Sequence, residues 1–106
     1  MHYNLIITEN ADRLLDELLC YLLDKLKNVQ AASHLIKEIE SIYKRLSENP
    51  YQFPESKDFF MRGMGYREAI TGKMNYLVVF RVDRDTVYVT GIFHQTEDYR
   101  RKICPG

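Results

Sequence analysis

Three side chains in the C-terminal half of the sequence could do phosphate or acid–base chemistry. Arg67 and Arg81 lie in consecutive predicted strands, and His94 ends the strand that follows them. Antiparallel pairing could project all three onto one side of a sheet, where guanidinium groups suit phosphate contacts and an imidazole suits proton transfer near neutral pH. The alternative is that the arginines are solvated, with Arg81 paired to Asp83 or Asp85, and that His94 is a partly exposed, hydrogen-bonded side chain.

A basic segment close to the C-terminus is a second candidate. Arg100, Arg101 and Lys102 follow one another directly. Such a cluster can contact nucleic acid or an acidic partner, and it is equally typical of a solubilising tail.

Established catalytic and metal-binding motifs are missing from the sequence. It has no nucleophile elbow, phosphate-binding loop or paired-histidine zinc motif, and the segment 63–65 (Gly-Met-Gly) is interpreted as a bend. Cys20 and Cys104 lack the spacing of a metal site and are predicted to be free thiols. No metal and no cofactor is predicted.

Composition and charge indicate an ordinary globular protein. Hydrophobic residues make up 45% and charged residues 28% of the 106 residues, and the formal net charge is zero. This length suits a single domain over residues 1–106. A zero net charge gives no general support to nucleic-acid binding, although residues 54–106 hold nine basic and seven acidic side chains. Without a recognisable signal peptide or membrane-length apolar stretch, we expect a reducing cytoplasm of the bacterial type.

The elements that must position these residues are one strand, two helices and three further strands. Leucines at helical spacing predict the first helix, and Asn49-Pro50 ends the second. The predicted fold is α+β with the order β-α-α-β-β-β, a helical hairpin packed on an antiparallel sheet that ends in a three-stranded meander. The predicted strands are 3–8, 66–71, 75–82 and 86–93, the helices are 9–27 and 28–47, turns lie at 72–73 and 83–85, and residues 94–106 form a short helix or a tail.

A long connection joins the second helix to the meander. Residues 49–65 include Phe53, Phe59 and Phe60. Long connections in small domains are often functional, whereas the plainer interpretation is that these aromatic side chains cover one edge of the core.

The chain resembles the RelE/ParE superfamily of bacterial toxins over nearly its whole length. The resemblance rests on the element order and on the segments 46–50 (Leu-Ser-Glu-Asn-Pro), Tyr66-Arg67, 75–82 and 92–99. It implies a toxin of a type II toxin–antitoxin pair, around which a cognate antitoxin wraps an extended or helical segment. ParE-like members of this superfamily poison DNA gyrase, whereas RelE-like members cleave mRNA in the ribosomal A site without a metal.

The basic residues implied by the RelE-like pattern are mostly absent. Its four sheet cations fall on Arg67, Ala69, Leu77 and Gln95, so that only Arg67 keeps a positive charge. Three lost cations would cost several kcal/mol of transition-state stabilisation, at roughly 2.7–4 kcal/mol per preorganised donor. His94 could substitute, but it stands one residue from the Gln95 position, and adjacent strand residues face opposite ways. ParE-like gyrase inhibition is therefore favoured.

Three hypotheses follow from the resemblance. The first is a gyrase inhibitor that contacts its target through Arg100, Arg101 and Lys102. The second is a ribosome-dependent, metal-independent mRNA endonuclease, and its catalytic candidates are Arg67, Arg81, His94 and Tyr99. The third is a degenerate, non-toxic module that binds only its antitoxin. In all three, a groove formed by Phe53, Phe59 and Phe60 would receive an antitoxin helix, and the chain would form a homodimer or a hetero-oligomer with its antitoxin.

Overall fold

The computed structural model describes residues 2–72, 75–97 and 99–103, without the side chain of Lys102. The predicted α+β class and the order of strands and long helices are confirmed. Lys73 of one predicted turn, Cys104 and the last two residues lie outside the described residues. The elements are β1 (Asn4–Ile7), α1 (Glu9–Cys20), α2 (Val29–Glu48), α3 (Phe59–Gly63), β2 (Tyr66–Ile70), β3 (Tyr76–Asp83), β4 (Thr86–His94) and α4 (Arg100–Ile103).

The helical hairpin begins and turns at capping residues. The hydroxyl of Thr8 accepts a 3.2 Å hydrogen bond from the amide of Ala11, which starts α1. A π-helical segment, Tyr21–Lys25, continues α1, so the predicted helix over 9–27 loses α-helical geometry after Cys20. Asn28 then caps α2 by accepting from the amide of Ala31 at 3.0 Å.

The four strands form one sheet in the order β1-β4-β3-β2. β3 is antiparallel to both β2 and β4, as the meander predicts. β1 is parallel to β4, so the sheet is mixed rather than wholly antiparallel. The chain between β1 and β4, which contains the hairpin, α3, β2 and β3, is long enough for the crossover that two parallel strands need.

The two faces of the sheet are covered by different elements. Tyr76, Val78 and Phe80 point to the face that packs on α2, called here the α2 face. Leu77 and Val79 point to the opposite face, called here the outer face. The α2 face meets Leu35, Ile39, Ile42 and Leu46 of α2, whereas the outer face meets Met61 of α3, Tyr99 and Ile103. Residues 76–80 are all buried because both faces of β3 are covered.

None of the helices in the described part of the chain is both long and apolar enough to span a membrane.

Two candidate clefts at the sheet

The strand register places Arg67 and Arg81 on opposite faces of the sheet. Arg81 lies opposite Tyr66, and Arg67 lies opposite Phe80. Directly opposed residues of an antiparallel pair share a face, so Arg67 belongs to the α2 face and Arg81 to the outer face. The expectation that they share one side is wrong, because a change of one residue in register reverses the face of every side chain.

His94 is also separate from both arginines. It lies opposite Tyr76, which is four residues along β3 from the partner of Arg67. At about 3.3 Å per residue, this offset is about 13 Å. The imidazole Nδ1 is 2.8 Å from the hydroxyl of Thr96, and its ring centre is 5.6 Å from that of Tyr76. Arg67, Arg81 and His94 therefore do not form one site.

The four positions aligned with the RelE-like sheet cations are likewise divided. Arg67 and Ala69 point to the α2 face, whereas Leu77 points to the outer face and lines a cleft with Gln95. On that outer face β2 contributes Glu68 instead of a cation.

This cleft, called here the Glu68 cleft, has a volume of about 220 Å³. Its floor is formed by the sheet, and its walls are formed by the segment before α3 and by the chain around α4. The lining residues are Lys57, Asp58, Glu68, Leu77, Gln95, Glu97, Tyr99 and Arg100.

A chain of hydrogen bonds holds Glu68 beneath the cleft. The hydroxyl of Tyr99 donates to Glu68 Oε2 at 2.5 Å, and the hydroxyl of Ser56 is hydrogen-bonded to the Tyr99 oxygen. Because the single proton of Tyr99 goes to Glu68, Ser56 must be the donor in the second bond. The backbone amide of Asp58 in turn donates to Ser56 Oγ at 3.2 Å. The other carboxylate oxygen, Glu68 Oε1, is buried and has no hydrogen-bond partner among the described residues.

Backbone pairing positions these three side chains. Residues 54–56 run along the edge of β2, with the amide of Glu68 bonded to the carbonyl of Pro54 and the amide of Ser56 bonded to that of Tyr66, both at 3.0 Å. Tyr99 stacks on Phe93 with the ring centres 5.5 Å apart. Ser56 is thereby held against the Tyr99 hydroxyl, and Tyr99 against the buried carboxylate.

The electrostatics of the Glu68 cleft do not suit phosphate chemistry. Burial, and then the hydrogen bond to Glu68, raise the pKa of Tyr99 well above its usual value. The neutral hydroxyl therefore anchors Glu68 and is a poor acid or base near neutral pH. Glu68 is only 2% exposed. The guanidinium of Arg100 lies 3.9 Å from the carboxylate of Asp58, so the negative charge of Asp58 offsets the positive charge of Arg100. A phosphate in this cleft would meet more acidic than basic groups.

A second cleft, called here the Tyr51 cleft, lies where β2 begins. It has a volume of about 270 Å³. Gly65 adopts a φ of 89°, which glycine tolerates best, and turns the chain from α3 into β2. A Cβ atom on Gly65 would lie 3.7 Å from Cγ of Arg81, so the stem of the Arg81 side chain lies beside Gly65, next to the residues that line the cleft. The lining residues are Tyr51, Glu55, Arg62, Gly65, Tyr66, Arg67 and Val82.

The three phenylalanines of the long connection have different environments. Phe53 is 7% exposed and belongs to the core, where it meets Phe80 edge to face at 6.0 Å and the guanidinium of Arg45 at 4.7 Å. Phe59 and Phe60 on α3 are 82% and 51% exposed. The plainer interpretation holds for Phe53 alone, and an exposed groove made of all three is not formed.

The basic C-terminal segment forms part of α4. Arg100 and Arg101 are exposed on this helix, and the side chain of Lys102 lies outside the described part of the chain. The guanidinium of Arg100 lies 5.7 Å from the ring centre of Phe60, which places the start of α4 beside α3.

Sequence reasoning missed Glu68 and Ser56. Glu68 lies on the same side of β2 as Tyr66 and Ile70, because every second residue of a strand faces the same way. The sequence groups these side chains, but only the pairing of β2 with β3 shows that they lie on the outer face. Ser56 carries no sequence signal, because only the pairing of residues 54–56 with the edge of β2 brings it to Tyr99.

Metal-binding groups are not clustered in the part of the chain that the structure describes, where no three His, Cys, Asp or Glu side chains could hold one ion. Cys20 is exposed and is a free thiol.

Most of the chain matches a known protein family. Residues 5–99 match the family described as the ParE toxin of the type II toxin–antitoxin system parDE. Among curated proteins, none is a significant match.

Three solved structures share the fold at low sequence identity. A structure of the chromosomal ParDE toxin–antitoxin system from P. aeruginosa has 19% identity and a TM-score of 0.70, covering 88% of this chain and 96% of that one. The RelBE2 toxin–antitoxin complex from Mycobacterium tuberculosis has 18% identity and a TM-score of 0.59, with 89% and 99% covered. A conserved hypothetical protein from Helicobacter pylori has 21% identity and a TM-score of 0.59, with 90% and 97% covered.

Proposed function

Since the chain belongs to the ParE toxin family of type II toxin–antitoxin systems, we propose that it inhibits DNA gyrase and that a cognate antitoxin neutralises it. The observation that carries the choice of target is the buried carboxylate of Glu68 in the outer-face cleft, which Leu77 and Gln95 also line at two positions where the RelE-like pattern has cations.

The buried carboxylate of Glu68 disfavours phosphodiester cleavage on electrostatic grounds. Cleavage of a phosphodiester builds up negative charge, and a site that accelerates it places donors and cations around that charge. Glu68 Oε1 has no hydrogen-bond partner in the described part of the chain, so the carboxylate would repel a phosphate without offering it a proton donor. His94 and Arg67, which could otherwise compensate, point to the α2 face. An inhibitor that binds a protein target needs no such donor set.

The first experiment compares the two targets directly. We expect the purified chain to stop supercoiling by purified gyrase and to accumulate cleaved DNA, while mRNA on translating ribosomes stays intact. His94→Gln is the matched variant, and it should inhibit gyrase as well as the parent does. Ribosome-dependent mRNA cleavage that is lost in His94→Gln would overturn the proposal in favour of the nuclease. Inactivity in both assays, with the antitoxin still bound, would favour the non-toxic module.

The exposed cations of α4 are the proposed contacts with gyrase. Arg100 and Arg101 are exposed on α4, Arg100 lines the Glu68 cleft, and Lys102 follows them in the sequence. We expect Arg100→Gln combined with Arg101→Gln to weaken gyrase inhibition severalfold. The control is Lys37→Gln combined with Lys44→Gln on α2, which removes the same charge from another exposed surface. Equal inhibition by both double variants would rule out α4 as the contact.

The antitoxin is proposed to cover α3. Phe59 and Phe60 are large exposed apolar side chains on adjacent positions, the kind of surface to which an amphipathic helix docks. Phe59→Ala combined with Phe60→Ala should weaken binding of the co-encoded antitoxin without loss of stability, as measured by calorimetric titration and thermal unfolding. Tyr21→Ala removes another aromatic side chain that is about half exposed, and it should bind the antitoxin normally. Unchanged affinity in the Phe59/Phe60 double variant would place the antitoxin elsewhere.

A further inference from the structure

Three arginines around the Tyr51 cleft are each held against an aromatic ring. This arrangement fixes the direction of long side chains that are otherwise flexible. The distances from guanidinium carbon to ring centre are 5.7 Å for Arg62 over Phe59, 5.0 Å for Arg67 over Tyr51 and 5.9 Å for Arg81 over Tyr66.

Among the residues that the structure describes, these guanidinium groups have no carboxylate partner. Within the described ranges, none of the three comes within 4.0 Å of an acidic oxygen, whereas Arg13 and Arg100 do. Arg67 donates one of its N–H groups to the carbonyl of Phe53 at 2.8 Å, which leaves the others for a ligand. Glu55 lines the cleft as its one acidic residue. In a chain of zero net charge, three such guanidinium groups around one cleft favour the binding of an anion there.

The positions of the arginines favour a linear polyanion. Arg67 points to the α2 face and Arg81 to the outer face, so the two flank one end of the sheet, and Arg62 projects from α3 beside them. One carboxylate can satisfy one guanidinium as a bidentate pair, but it leaves the other two without a partner. A nucleic-acid strand carries a phosphate at every nucleotide and could cross this end of the sheet while meeting all three.

We propose that the Tyr51 cleft binds the phosphate backbone of nucleic acid through Arg62, Arg67 and Arg81. This site is distinct from the Glu68 cleft and from the cations of α4. It does not depend on gyrase being the target, because the contact is made by the toxin alone and can be measured without any target protein.

The test is binding of a fluorescently labelled DNA duplex to the full chain, followed by anisotropy over a series of salt concentrations. We expect the affinity to fall as salt rises. Arg62→Gln and Arg81→Gln should each weaken binding, and each should reduce the slope of log affinity against log salt by about one, the change expected when one phosphate contact is lost. Arg62→Lys and Arg81→Lys keep the charge and should keep the slope.

Arg13→Gln is the matched control for charge, since Arg13 is an exposed arginine on α1 that already pairs with Glu17 at 2.8 Å. It should bind DNA with the slope of the parent. Three results would overturn the proposal: no DNA binding even at low salt, the same slope in Arg62→Gln and Arg81→Gln as in the parent, or displacement of DNA by polyglutamate as readily as by polyphosphate. The last result would assign the cleft to an acidic protein segment instead.

Discussion

The hydroxyl of Tyr99 donates a hydrogen bond of 2.5 Å to the buried carboxylate of Glu68, which lies 31 positions earlier in the sequence. This bond joins the segment before α4 to the middle of β2. Together with the stacking of Tyr99 on Phe93, it closes the C-terminal segment over the outer face of the sheet. Tyr99 therefore stabilises the fold, and the prediction that it serves a nuclease site has no support in its surroundings.

We expect Tyr99→Phe to destabilise the protein. The change keeps the ring and its stacking but removes the one side chain among the described residues that donates to Glu68, and leaves only a long 3.4 Å bond from the backbone amide of Lys57. A hydrogen bond to a charged group contributes about 1.5–3 kcal/mol. Urea unfolding should show a loss of that size. Tyr88→Phe, on the partly exposed part of β4, is the control and should change the free energy of unfolding by less than about 0.5 kcal/mol. Equal stability of the two variants would show that Glu68 finds another donor.

The opposite result is expected for Tyr43→Phe. The hydroxyl of Tyr43 is buried and has no hydrogen-bond partner among the described residues. Its removal therefore ends an unfavourable burial and breaks no bond, so the free energy of unfolding should stay the same or increase. A clear loss of stability in the same urea experiment would mean that this hydroxyl is bonded in solution.

Tyr43 should also make the protein sensitive to alkaline pH. Burial, and then the negative charge of Asp12, raise the pKa of Tyr43 from 10.0 to about 12. Since the folded-state pKa is the higher one, the unfolded chain loses this proton first, and stability decreases as pH rises from about 10 to about 12. Below pH 10 Tyr43 keeps its proton in both the folded and the unfolded state, so its contribution to the free energy of unfolding no longer changes with pH. The decline should be shallower in Tyr43→Phe, and parallel declines would contradict the assignment.

Glycine is required at position 91 for steric reasons. A Cβ atom on Gly91 would lie within 2.3 Å of the ring of Phe93 and 3.3 Å from Leu14, both of which are buried. Gly91→Ala should therefore destabilise the protein by about 1–3 kcal/mol through overpacking. Gly63→Ala is the matched control, because nothing lies within 4 Å of its added methyl group. A thermal unfolding midpoint as high for Gly91→Ala as for Gly63→Ala would show that Phe93 moves aside at little cost.

The element order and the family could be predicted from the sequence because both depend on local patterns. Leucines at helical spacing, the caps at Thr8 and Asn28, and the stop at Asn49-Pro50 are properties of neighbouring residues. The apolar runs of β2 and β3, separated by a short turn, also predict two antiparallel strands, which the structure confirms. The resemblance to the RelE/ParE superfamily, which rests on the order of these segments, is confirmed by membership of the ParE toxin family.

Only the tertiary structure decided which of these residues meet. A shift of one residue in the register of β2 against β3 separates Arg67 from Arg81, and local sequence preferences do not determine a register. The parallel position of β1, the edge pairing that brings Ser56 to Tyr99, and the burial of Glu68 depend on contacts between residues far apart in the chain. Such contacts are selected by the packing of whole faces. The sequence by itself therefore determined the secondary-structure elements, whereas the packing of the two faces of the sheet determined the two clefts and the charged groups that line them.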